Sequence, residues 1–282
     1  MLRRILPFAA IVTSCSFEVA TAPRVGARES LDHRAPDEVV LDIAANEDAI
    51  VGRVEPAPED SDADRVLTIR WLTGSGARSW RFGGTQALEA RFVPRSSAVL
   101  VVTVQHTLVR LDRADAEGAV IDHDVLGPLS MDDAGRWVVY TRGEMAAYEV
   151  MRAEIATGRT EQMAPDLVPA WCPAITPDGQ SVVVVASSGG RPALFRLRQG
   201  QPAERWGVPE NIPLPTGPAA PLWVDGTFVY ESDGALHSLR PDGTHVYLPG
   251  LGLPVRGGAT PVLAQDPTNH LTPLTARELG AQ

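Results

Sequence analysis

Residues 169–197 read PAWCPAITPDGQSVVVVASSGGRPALFRL. Pro177-Asp178-Gly179 is a turn: proline presets φ, and glycine supplies the positive φ that a tight turn requires. The valines at 182–185 follow almost at once. An unbroken β-branched run of that length reads as a strand, the second of its unit. Ser188-Gly189-Gly190 then reads as a hairpin. Beyond it, arginine alternates with apolar residues, so Arg196 and Arg198 share one strand face while Phe195 and Leu197 take the other. The stretch predicts an antiparallel unit of at least three strands joined by tight turns.

The same shape recurs along the chain: an apolar entry, a polar turn, then a burst of β-branched and aromatic residues. It is found as IAANEDAIVG from Ile43, FVPRSSAVLVV from Phe92, SMDDAGRWVVY from Ser130, ITPDGQSVVVV from Ile175 and LWVDGTFVY from Leu222. With Ile50, Leu100, Val138, Val183 and Phe228 taken as equivalent, the steps are 50, 38, 45 and 45 residues. A period near 45 with about four short strands per unit is that of a β-propeller blade. In the third unit the predicted strands are 127–131, 136–141, 148–155 and 159–163, with turns at 133–135 and 156–158. The 25 glycines and 24 prolines agree with an all-β chain rich in turns.

The unit at 169–197 resembles a repeat of the TolB-type, WD40-like propellers, whose core runs P-x-W-S-P-D-G-x-x-I-x-F. Trp171, Pro177-Asp178-Gly179 and the valine run match that pattern, with residues 173–176 inserted between tryptophan and turn. The unit at 130–163 is the second-best match. The resemblance implies a β-propeller of six four-stranded blades, with five or seven left open. In it, residues 261–264 and 270–277 would build a sixth blade completed by an N-terminal strand at 17–25. It also implies protein contact through a propeller face or the central channel.

The chain opens MLRRILPFAAIVTSC. Two arginines precede an apolar run of eight residues, too short to span a bilayer and of the right length for a secretory signal. Val12-Thr13-Ser14-Cys15 resembles the lipobox of bacterial lipoproteins. The expected organisation is a signal peptide at 1–14, a lipidated linker at 15–36 starting at Cys15, and one propeller domain at 37–278. Residues 20–22 form a competing A-x-A site, disfavoured by the following Pro23. The only other cysteine, Cys172, is expected to be a small buried hydrophobe.

All 25 cationic side chains are arginine, against 35 acids, for a net charge of −10. Without lysine there is no P-loop, no lysine Schiff base and no S-x-x-K acylase, and the acidic balance disfavours nucleic acid. No G-x-S-x-G elbow and no H-E-x-x-H occurs. The triplet Asp60, Asp62 and Asp64 imitates a calcium loop but lacks its glycine and terminal glutamate, so it reads as a solvated hairpin tip. No cofactor, metal or catalytic set is therefore assigned. The expected function is a non-catalytic, lipid-anchored propeller of the bacterial envelope, on the periplasmic side or outer membrane. It would meet the membrane through Cys15 and an envelope protein through Arg191, Arg196, Arg198 and Arg205, beside Phe195 and Trp206. The alternative is a propeller hydrolase or lyase with a metal in the channel, for which Asp42, Glu89 and Asp132 are the inner-strand acids.

Overall fold

In the computed structural model the described residues are 31 and 34–280, apart from 46–47, 57–64, 73–86, 113–117, 145–146, 189, 207–211, 217–219, 258–259, 266–269 and 276. The lipobox, the acidic triplet and the N-terminal closing strand lie outside them. Among the described residues no helix is long and apolar enough to cross a membrane.

The described strands form six antiparallel units. Blade 1 comprises Glu38–Ile43, Ala49–Pro56 and Arg65–Leu72. Blade 2 comprises Ala87–Phe92, Val99–Thr103, Leu108–Leu111 and Ala119–Asp122. Blade 3 has Ser130–Met131, Trp137–Arg142, Glu149–Glu154 and Thr160–Gln162, close to the strands expected for that unit. Blade 4 has Ala170–Ile175, Ser181–Ser188, Arg191–Arg198 and Glu204–Arg205. Blade 5 has Leu222–Val224, Thr227–Ser232, Ala235–Leu239 and His245–Leu248. Blade 6 has Leu253–Gly257, Thr260–Gln265 and Leu271–Leu274. Single register pairs, Leu67↔Ala87 and Ile43↔Gly257, connect blade 1 to blades 2 and 6. The first described strand of blade 6, Leu253–Gly257, precedes the two segments expected for that blade.

Burial explains the ring. The second strands of blades 1–5 are apolar on both faces, and each face enters a different core. Ile50 and Trp71 of blade 1 pack on Phe92 and Val101 of blade 2. Leu100 of blade 2 meets Tyr140 of blade 3, and Val139 meets Val182 and Val184 of blade 4. Val183 and Val185 then meet Phe228 and Tyr230 of blade 5, and Val229 meets Ala264 and Leu274 of blade 6. Val255 of blade 6 closes on Val40, Ile43 and Val51 of blade 1. At roughly 1.5–3 kcal/mol for each large apolar side chain buried, these six seams hold the ring together. No single sheet has a core of its own.

The repeat register differs from the sequence alignment in two units. Ile50, Leu100 and Val183 face the following blade, whereas Val138 and Phe228 face the preceding one. In blade 3 the residue equivalent to Val183 is Val139. In blade 5 the turn holds only Asp225 and Gly226 between the paired Val224 and Thr227, which shifts the frame. A strand has a side-chain period of two, so a one-residue shift exchanges the faces. The insertion near Trp171 is absorbed as a bulge between Trp171 and Ala174, with Cys172 at φ 49°.

Candidate functional site

The inner strands carry polar residues that work across the seams. Asp42 Oδ2 accepts the N–H of Phe92 at 2.9 Å, and Glu89 Oε2 accepts that of Leu129 at 2.9 Å. Ser130 Oγ accepts that of Ile175 at 3.1 Å. Three consecutive seams thus use one device: a side chain of one inner strand satisfies a backbone donor of the next, which would otherwise be buried unpaired. Asp132 does something else. Its Oδ1 accepts the N–H groups of Arg136 and Trp137, both at 2.8 Å, and so caps the turn between the first two strands. At least one carboxylate oxygen of each of Asp42, Glu89 and Asp132 is therefore committed to the scaffold. Among the described residues no group of three or more His, Cys, Asp or Glu side chains is placed to hold a metal. The signal for this role was a polar residue interrupting an apolar inner strand.

The inner strands and first turns of blades 3, 4 and 5 border an opening that we call the channel mouth. It is a cavity of about 520 Å³, lined by Arg91, Ser130, Asp133, Ile175, Trp223 and Asp225 among others. Arg91 is buried; its Nε donates to Glu89 Oε1 at 2.9 Å and its Nη1 to the carbonyl of Leu41 at 2.5 Å. Beside the mouth, and sharing Pro177, Trp223 and Gly226 with it, runs a groove of about 330 Å³ between blades 4 and 5. Trp206 and Trp223 line it, 6.0 Å apart, with Asp178, Arg196 and Pro241. Asp178 accepts hydrogen bonds from Thr176 Oγ1 and the Gln180 N–H, which together with the nearby Arg196 hold its carboxyl below the usual range.

The four arginines singled out from sequence divide. Arg196 lines the groove, and Arg198 lies on the same strand face with its Nη1 3.4 Å from Glu204 Oε2. Arg205 is exposed on the neighbouring outer strand, where it pairs in register with Phe195. Arg191 is exposed at the other end of its strand, paired with Ser188. At about 3.3 Å per residue, the strand length separates it from Arg198. Cys172 is buried, and burial with help from Glu231 pushes its thiol up to about 12. Sequence reasoning missed the approach of Trp206 and Trp223, which are separated by a proline-rich connector and meet only when blades 4 and 5 pack.

No protein-family model and no curated protein matches the sequence. Solved structures do. The chain is similar to TolB from Acinetobacter baumannii at 16% identity and a TM-score of 0.54, over 79% of this chain and 62% of that one. It is similar to a TolB-type protein from Agrobacterium tumefaciens at 12% identity and a TM-score of 0.60, over 84% and 90% of the two chains. The fold is that of the TolB-type β-propellers. A chain of a nidogen/laminin complex shares it at 14% identity and a TM-score of 0.52, over 81% of this chain and 85% of that one. At such identities the likeness concerns the propeller scaffold, and binding has to be argued from this propeller's own surface.

Proposed function

We propose that the chain is a non-catalytic propeller of the bacterial envelope, anchored by lipid on Cys15, that binds a protein partner on the face where its channel opens. The observation that carries this reading is the division of labour on the inner strands. Asp42, Glu89 and Ser130 fasten neighbouring blades, while the 520 Å³ mouth offers Asp133, Asp225 and Trp223 around a concave rim. A mixed polar rim around an aromatic centre suits a protein contact. Arg196 and Arg198 extend the same face, and planar guanidinium groups suit an acidic partner.

Cross-linking from the native envelope tests the surface. A photoreactive residue at Asp225 or Arg198 should capture one and the same partner, and one at Arg191 should not. Equal capture from all three positions would refute the assignment of the face. Mass spectrometry of the mature N-terminus should find acylated Cys15; an unmodified start elsewhere would remove the anchor.

A further inference from the structure

The groove between blades 4 and 5 is distinct from the channel mouth in chemistry. It combines two indole rings, two proline rings, one carboxylate and one guanidinium in about 330 Å³. That volume lies at the lower end of the range typical of small-ligand sites, and a mostly apolar lining with a few convergent polar groups is their usual composition. We propose that this groove binds a neutral saccharide, one pyranose ring stacking on Trp206 and Trp223 while its hydroxyls engage Asp178 and Arg196.

The polar pair selects the ligand class. Asp178 commits Oδ1 to Thr176 and Gln180, and among the described residues Oδ2 is left for a donor. Arg196 acts on Asp178 electrostatically, and among the described residues the two form no direct ion pair, so the guanidinium keeps donors for an acceptor. The opposite charges of Asp178 and Arg196 offset each other, so the groove gives a singly charged ligand of either sign no net electrostatic preference. A proline-rich peptide offers carbonyl acceptors but no proline N–H for Asp178. A sugar hydroxyl both donates and accepts, so vicinal hydroxyls satisfy both groups at once. The C–H face of the ring complements the negative face of an indole. The rings are also held in place. Trp206 and Trp223 both pack on Phe228, at 5.7 and 5.4 Å between centroids, and Phe228 is fully buried. A pre-positioned aromatic pair loses little conformational freedom on binding.

The test is a titration of the purified mature chain with maltose, cellobiose, lactose and diacetylchitobiose into the millimolar range, followed by tryptophan fluorescence and by the indole N–H resonances. At least one sugar should give a saturable response that shifts the Trp206 and Trp223 indole signals and spares Trp137. Arg196→Met and Trp206→Leu, each with an unchanged far-UV spectrum, should weaken that response about tenfold. Absence of saturation with every sugar overturns the proposal. So does saturation of the groove by a decaproline peptide, or a sugar response that both variants retain. The wild-type resonances decide the question even if Trp206→Leu does not fold. Because the readout is sugar binding, its failure leaves partner capture at the channel mouth unaffected.

Discussion

Glu89 and Arg91 stand two residues apart on the inner strand of blade 2, with 2.9 Å between Oε1 and Nε, and together they tie three blades. Glu89 reaches forward to the N–H of Leu129 in blade 3, and Arg91 reaches back to the carbonyl of Leu41 in blade 1. Residues i and i+2 share a strand face, so one face of one strand serves both seams.

Glu89→Gln should destabilise the propeller by about 3 kcal/mol, because it removes the hydrogen-bonded counter-charge of a buried guanidinium and leaves it only the electrostatic influence of Asp42. The double variant Glu89→Gln/Arg91→Met should recover part of that loss. Urea unfolding of the three proteins measures both; simple additivity would show that the pair is not coupled.

Gly135 sits in the first turn of blade 3 at φ 65°, and a Cβ there would lie 2.3 Å from the carbonyl oxygen of Pro94 in blade 2. Gly135→Ala combines a left-handed backbone with a backbone clash across a seam, and should cost about 2 kcal/mol or more. Gly158→Ala, with φ 71° and no atom within 4 Å of the added Cβ, should cost less. Melting of the two variants side by side separates backbone strain from the clash.

His237 Nδ1 and His245 Nε2 are 3.0 Å apart, with the rings stacked on each other and His237 stacked on Tyr230. Burial holds both imidazoles below their usual value, and the neighbouring His245 further opposes protonation of His237. Asp233 and the Ser232 backbone pull His237 the other way without reversing the shift. The folded state therefore binds fewer protons than the unfolded chain below about pH 6.5, and stability should fall as the pH drops through that value. His237→Phe should flatten that slope, read as the difference in unfolding free energy between mildly acidic and neutral buffer.

Cys172 should resist alkylation in the native protein at mildly alkaline pH, since its thiol is buried and raised to about 12. Denaturation should expose it to rapid labelling. Prompt native labelling would mean that the seam between blades 4 and 5 opens locally.

Much of this architecture was legible in the residues. Runs such as 182–185 and 137–140 and turns such as Pro177-Asp178-Gly179 act locally, within a few bonds, so strand type, turn position and the repeat could be read without a structure. The roles of Asp42, Glu89 and Asp132 could not. Polar residues on inner strands suit a catalytic channel as well as a structural seam, and only their distance from Phe92, Leu129 and Trp137 distinguishes the two.

The amino-acid sequence by itself determined an all-β, blade-repeating chain, because β-branched runs, glycine turns and their spacing carry that information locally. The tertiary structure decided which way Val138 and Phe228 face, because a one-residue offset in strand register exchanges the sides of a strand. It also separated Arg191 from Arg196 and brought Trp206 to Trp223, since both outcomes depend on strand length and on the packing of neighbouring blades.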